Sequence, residues 1–267
     1  MDRGFSLALV LLILIGGAAA LWLRSTPAPT DLDVATSKPP PIVEQAAPLE
    51  NGTFGLYVLA VAWQPAFCET EPQKPECRSL TESRADARQF ALHGLWPQGS
   101  YCGVNPSLID TDTYESSRAL PAIELSSQTR AALDAAMPGT QSYLERHEWL
   151  LHGTCADVSA EQYFSRAIAL LSQLNASPVQ DLFAKSIGAR LTAREIRNAF
   201  DAAFGPGSGN RIRIDCEDDG ARTLISELRI RLYGNVMQAS SLRELLGKAT
   251  PGGGGCNGGI VDRVGDQ

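Results

Sequence analysis

The sequence predicts an α+β fold, with helices packed around a central antiparallel sheet. Three observations carry this reading. Strand-like segments stand at both ends of the globular region, and helix-start signals cluster between them. The chain has 267 residues with 44% hydrophobic content, enough for one core of ordinary domain size.

Taken in order, residues 5–23 form an uncharged, mostly apolar run between Arg3 and Arg24. The run is long for the core of a signal peptide and long enough to span a bilayer as a helix. Ala18-Ala19-Ala20 offers a cleavage site. Residues 1–24 are therefore a signal peptide or an N-terminal membrane anchor, and either one exports the rest of the chain. Residues 25–52 hold Pro27, Pro29, Pro39, Pro40, Pro41 and Pro48 with few large apolar side chains, which reads as an extended linker. The globular domain is 53–267, without internal repeats.

Within the domain, Tyr57-Val-Leu-Ala-Val-Ala-Trp63 has the length and the β-branched and aromatic content of a strand. Phe90-Ala-Leu-His93 reads as a second strand whose end delivers His93. Residues 127–137 read as a helix stopped by Pro138-Gly139. Three capping boxes come next, at Ser159/Gln162, Ser177/Gln180 and Thr192/Glu195. The first opens a helix carrying Phe164, Ile168 and Leu171. The second has proline at the first helical position. The third opens a helix that ends at Gly205-Pro206. Residues 211–215 and 228–233 alternate as strands, and the glycine-rich tail 251–259 reads as irregular but pinned by Cys256.

The net charge of −7 argues against a protein that coats nucleic acid, so any contact with a polyanion is expected to be local. Six cysteines are present, Cys68, Cys77, Cys102, Cys155, Cys216 and Cys256, none in a C-x-x-C pair. They are three disulfides or six buried thiols, and export favours disulfides.

The chain has three histidines, His93, His147 and His152, in two short motifs: His93-Gly-Leu-Trp-Pro97 and His147-Glu-Trp-Leu-Leu-His152. The second is not the zincin pattern. Its histidines are five residues apart, about 140° around a helix, and cannot clamp one ion from one face. Neither a metal nor a cofactor is expected. Glu148 and His152 form the i, i+4 pair, and a carboxylate there is expected to raise the basicity of His152. Two histidines near neutrality can run a displacement at phosphorus, one removing a proton and one donating it. RNA brings its own nucleophile, the ribose 2′-hydroxyl. Trp96 offers a face on which a base could stack, or else packs in the core. Trp63 and Trp149 read as core. Gly94 and Gly153, each directly after a histidine, suit a close backbone approach or a tight turn.

These residues resemble a known family. Leu92-His-Gly-Leu-Trp-Pro97 and His147-Glu-Trp-Leu-Leu-His-Gly-Thr-Cys155 are similar to the two active-site segments of the ribonuclease T2 family. The opening from Tyr57 to Cys68, Ala136-Met-Pro-Gly139 and the late Cys216 and Cys256 resemble its bacterial periplasmic branch. The resemblance spans roughly 54–260. It implies a ribonuclease T2-like α+β fold and an endoribonuclease that cleaves single-stranded RNA through a 2′,3′-cyclic phosphate without metal. It implies His152 as base, His93 as acid, Glu148 as support for the transition state and His147 as a phosphate contact. It also implies the pairs Cys68–Cys77, Cys102–Cys155 and Cys216–Cys256. RNA is the expected partner of a monomeric, periplasmic or secreted enzyme, tethered to the inner membrane by residues 5–23 if these are uncleaved. One position departs from the family: Leu151 stands where a lysine usually precedes the second histidine. Loss of such a cation removes charge stabilisation at phosphorus. The enzyme is expected to be slower than its relatives, or Arg146, Arg84 or Arg88 substitutes; the alternative is a catalytically weak or dead relative that acts as an RNA-binding or interaction protein.

Overall fold

Strand β1 (Phe54–Ala62) is apolar along its length, and its successive side chains face opposite sides of the sheet. Tyr57, Leu59 and Val61 are buried in the main core, while Val58, Ala60 and Ala62 project from the other face. The computed structural model describes residues 54–265. The apolar run 5–23 and the linker 25–52 lie outside the described residues. Among the described residues no helix is long and apolar enough to cross a membrane.

After β1 the chain forms α1 (Gln64–Thr70), α2 (Pro75–Arg78) and β2 (Ala91–Pro97). Five helices come after these: α3 (Pro106–Tyr114), α4 (Ser127–Ala136), α5 (Leu144–Leu151), α6 (Ala160–Asn175) and α7 (Pro178–Lys185). Then come β3 (Arg190–Thr192), α8 (Ala193–Phe204), β4 (Ile212–Asp218), β5 (Thr223–Asn235), α9 (Leu242–Lys248), β6 (Gly254–Gly255) and β7 (Gly258–Ile260). The sheet runs β2-β1-β5-β4-β6, with β7 joining β5 to β3. The fold is α+β, as the sequence predicts. The long pairs β1–β2, β1–β5 and β4–β5 are antiparallel.

The sheet is mixed rather than purely antiparallel, because β6 and β7 add parallel contacts to β4 and β5. These strands belong to the tail read from sequence as irregular. Its glycines allow the chain to press onto the sheet: a Cβ on Gly255, whose φ is +86°, would collide with the Ile214 carbonyl. A disulfide from Cys216 to Cys256 then holds the tail in place.

The capping boxes at Ser159/Gln162 and Thr192/Glu195 are both formed. The helix after the first, α6, buries Tyr163, Phe164, Ala167, Leu170, Leu171 and Leu174 on one face, while Ile168 packs half-buried at its margin. The Tyr163 hydroxyl donates to the Leu95 carbonyl at 2.6 Å, tying α6 to β2. At Ser177 the reciprocal box is absent. Ser177 caps Val179, but the Gln180 side chain donates to the Arg88 carbonyl and accepts from Phe90 N. Satisfying the backbone that enters β2 takes precedence over a second capping bond.

The helix expected over 127–137 stops at Ala136, with Met137 forced out of helical geometry before Pro138. The two late strands extend well beyond 211–215 and 228–233 at their C-terminal or both ends. Trp63 and Trp149 are core residues, 1% and 3% exposed.

All six cysteines are paired, as Cys68–Cys77, Cys102–Cys155 and Cys216–Cys256. The second joins the segment after β2 to the turn after α5, across 53 residues of sequence. Its removal in a Cys102→Ala, Cys155→Ala double variant is expected to cost about 3–4 kcal/mol in urea unfolding, because the closed loop restricts the unfolded chain. A loss below about 1 kcal/mol would show that this link adds little to the fold.

Candidate active site

The pairing of β1 with β2 slips at one point. Ala60 lies opposite Gly94, but Val61 lies opposite Leu92, leaving His93 as the extra residue of a β-bulge. Regular alternation would turn His93 away from the face that carries Gly94 and Trp96. The bulge re-aims it. Strand β2 therefore does not end at His93, as the sequence suggests, but runs on through Trp96 to Pro97. A second slip, between β4 and β5, leaves Ser226 unpaired beside Glu227. Its carbonyl accepts from Trp63 N at 2.8 Å, so this irregularity is held from β1.

The two bulges bring His93 and Glu227 together. His93 Nδ1 donates to Glu227 Oε2 at 2.5 Å. His93 Nε2 lies 3.5 Å from Glu148 Oε1, beyond ordinary hydrogen-bond length, and so keeps a free direction. Glu148 comes from α5 and is 1% exposed. Its other oxygen accepts from Trp96 Nε1 at 2.8 Å. The space it occupies exists because residue 94 is glycine: a Cβ there would overlap Glu148 Oε2 and Trp96 Nε1. Gly153 is required in the same way, since a Cβ would enter the Trp149 ring. Both glycines serve close approach.

Glu148 therefore does not serve His152, contrary to the i, i+4 expectation. Helix α5 ends at Leu151, and His152 caps it with φ −118° and ψ −52°. That turn sends the imidazole over Trp96, stacked at 5.2 Å between ring centres and 28° between planes. Its Nδ1 is buried without a hydrogen-bond partner among the described residues. Trp96 is neither core nor free platform. It is half-buried, with His152 on its face, His93 at 5.2 Å edge-on and the Arg229 guanidinium 5.4 Å from the ring centre.

His147 points along its own path. Its Nδ1 donates to Asp112 Oδ1 at 2.8 Å, and the buried Asp112 carboxylate also accepts from the Tyr101 hydroxyl at 2.8 Å. Sequence reading missed Asp112 and Glu227. Neither lies in a histidine motif, and only the fold joins each to its imidazole across 35 and 134 residues.

The environments of the two inner histidines are opposed. Burial draws His93 down, but the Glu227 hydrogen bond and the charges of Glu148 and Glu227 outweigh it and hold His93 above its ordinary value of 6.5. Burial, then the positive fields of His147 and His93, push His152 down to about 4. Burial raises the Glu148 carboxyl despite the nearby His93. For Glu227, burial acts upward, but the hydrogen bond from His93 prevails and lowers it.

No expected substitute for the missing lysine reaches this cluster. Arg146 donates to the Arg118 and Leu120 carbonyls and lies over Tyr143. Arg84 pairs with Asp86. Arg88 stands before β2, outside these contacts, with its carbonyl engaged by Gln180. A cation that does approach the cluster is Arg229 on β5, whose Nε donates to Glu227 Oε1 at 2.5 Å. Beside His93 a cavity of about 480 Å³ opens, lined by Gln64, Phe67, Lys74, Glu227 and Arg229. Among the described residues no group of three or more His, Cys, Asp or Glu side chains is arranged to hold a metal ion.

Residues 54–244 match the model of the ribonuclease T2 family. The chain is 27% identical over 229 residues to ribonuclease I of Escherichia coli, covering 76% of this chain and 84% of that protein. It is 31% identical over 157 residues to extracellular ribonuclease LE of Solanum lycopersicum, covering 57% of this chain and 66% of that one. The crystal structure of RNase NT in complex with 5′-AMP shares the fold, with a TM-score of 0.51 at 18% identity over 78% of this chain and 97% of the other. With the match covering most of the chain and both histidine motifs lying inside it, the protein belongs to the ribonuclease T2 family and is an endoribonuclease of that type.

Proposed function

We propose that this enzyme cleaves single-stranded RNA by internal transesterification, with His152 as general base and His93 as general acid. His152 takes the proton of the ribose 2′-hydroxyl, and the 2′-oxygen attacks the adjacent phosphorus. The bond from phosphorus to the 5′-oxygen breaks, and His93 protonates that oxygen. The products are a 2′,3′-cyclic phosphate and a free 5′-hydroxyl. The observation that carries this reading is the opposed environment of the two histidines. Burial and the neighbouring imidazoles favour neutral His152, able to accept a proton, while Glu227 and Glu148 favour the protonated form of His93, able to give one.

The remaining residues fit supporting roles. Asp112 fixes the Nδ1 of His147, which directs the other ring nitrogen outward for a phosphate oxygen. Glu148, buried with its carboxyl raised, faces the same space as His93 Nε2 and supports the crowded phosphorane. Arg229 supplies the cation that Leu151 cannot. Three disulfides suit an exported protein, periplasmic or secreted.

His93→Ala and His152→Ala are each expected to lower kcat at least about 10²-fold with the circular dichroism spectrum retained, and wild-type cleavage should persist in EDTA with cyclic phosphate ends. Loss of wild-type activity in EDTA would refute the proposal. In the profile of kcat/KM against pH, activity should rise through about pH 4 as His152 deprotonates and fall above the ordinary histidine value as His93 does. Glu227→Gln removes the carboxylate that holds the proton on His93, so its alkaline limb should move to lower pH; an unmoved limb would separate Glu227 from the acid. Arg229→Gln should cost about 10²–10³ in kcat, partly restored by adding Leu151→Lys, whereas Leu151→Lys alone should change little. Full activity in Arg229→Gln would mean that the charge comes from elsewhere.

A further inference from the structure

Arg213, Arg229 and Arg231 stand together on the face of the sheet that bears Trp96. Strand register puts them there. Val58 lies between Trp96 and Arg231, and Ala60 lies between Gly94 and Arg229, which is itself opposite Arg213. From β2 to β4 is three strand spacings, roughly 14 Å. Over this face runs a groove of about 360 Å³ lined by Trp96, Gln98, Arg213, Arg229, Arg231 and Gly252.

The arginines are oriented, not merely present. Asp215 accepts from Arg213 Nε at 2.7 Å, and its other oxygen lies 3.1 Å from Arg229 Nε. Glu227 Oε1, on the residue paired with Asp215 across the strands, accepts from the same Arg229 Nε at 2.5 Å. Both arginines are thus anchored through Nε, which leaves the outer amino groups of each fork for a ligand, and their side chains are 52% and 44% exposed. Arg231 Nη1 donates weakly to the Pro251 carbonyl, at 3.5 Å. The tail is shaped around it: a Cβ on Gly252 would overlap the Arg231 guanidinium, and Gly252 N and Gly253 N both donate to the Asn210 carbonyl. Three guanidinium groups stand against two carboxylates, one of which also holds His93.

We propose that this groove is a phosphate-binding track for the RNA strand beyond the scissile bond. The proposal rests on the ribonuclease reading of the histidine site. In a chain of net charge −7, attraction for a polyanion has to be concentrated locally, and here it is continuous with the catalytic cluster through Trp96 and Arg229. Planar guanidinium forks suit phosphate oxygens. The ligand class is a single-stranded oligonucleotide read by its backbone, without base selection.

The test compares a dinucleoside monophosphate with a dodecaribonucleotide across a salt series, using the wild type and the Arg213→Gln, Arg231→Gln double variant. The variant should lose about tenfold in kcat/KM on the long substrate and under about twofold on the short one, and its slope of log kcat/KM against log salt should be shallower by about 1.4, or 0.7 per lost phosphate contact. Equal losses on both substrates, or none, would overturn the track. Binding of a fully 2′-O-methylated dodecamer, measured by fluorescence anisotropy, reads the groove without cleavage. Affinity unchanged in the double variant overturns the track even if neither protein cleaves RNA, a result that would instead count against the ribonuclease reading.

Discussion

A buried carboxylate holds this structure to its site. Glu148 is 1% exposed, and a charge so far from water is costly unless it is bonded. Its bonds lead in one direction, from α5 to β2: the Trp96 indole donates to one oxygen, and His93 faces the other. The contact requires a missing Cβ at residue 94 and a bulge at residue 93. A helix, a strand irregularity, a glycine and a tryptophan are thereby fixed by one group. The Cys102–Cys155 disulfide links the stretches that follow β2 and α5 covalently.

Around that centre, the fold gives each histidine a different environment. His93 has a carboxylate on Nδ1 and a second near Nε2, and both favour its protonated form. His152 lies against Trp96 with a buried, unpartnered nitrogen among the described residues, and its burial and the two other imidazoles nearby favour the neutral form. His147 has its own buried carboxylate, Asp112. One residue type thus supports separate roles because partners and burial differ, as the physics of titratable groups requires.

Charge is handled locally. The chain is acidic overall, yet the exposed sheet face beside the histidines carries a cluster of arginines. The absent motif lysine makes this placement meaningful. Leu151 sits at the last turn of α5, while the guanidinium of Arg229, bonded to Glu227, rises from β5. A cation near phosphorus can be delivered from any element that borders the reacting space, since Coulomb attraction depends on distance and not on position in the chain.

Much was legible in the sequence alone. The β-branched and aromatic content of 57–63, the apolar spacing after Ser159, the capping box at Thr192 and the proline stop at 138 are local patterns, and they mark β1, α6, α8 and the end of α4. Both histidine motifs were legible because their residues are contiguous. The short helices α1, α2, α3 and α9 escaped notice, since segments of four to nine residues owe their shape to packing rather than to periodicity. The parallel contacts of the tail depend on glycines pressed against a sheet that does not exist until the fold forms. The i, i+4 reading of Glu148 with His152 failed because the helix ends between them and each side chain finds a better surface elsewhere. Local sequence therefore determined the longer periodic elements, which residue types are available and that the chain belongs among the T2 ribonucleases. Tertiary structure decided which carboxylate faces which imidazole and which arginine stands near the site, because proton affinity and charge stabilisation depend on distances across strands that the order of residues does not contain.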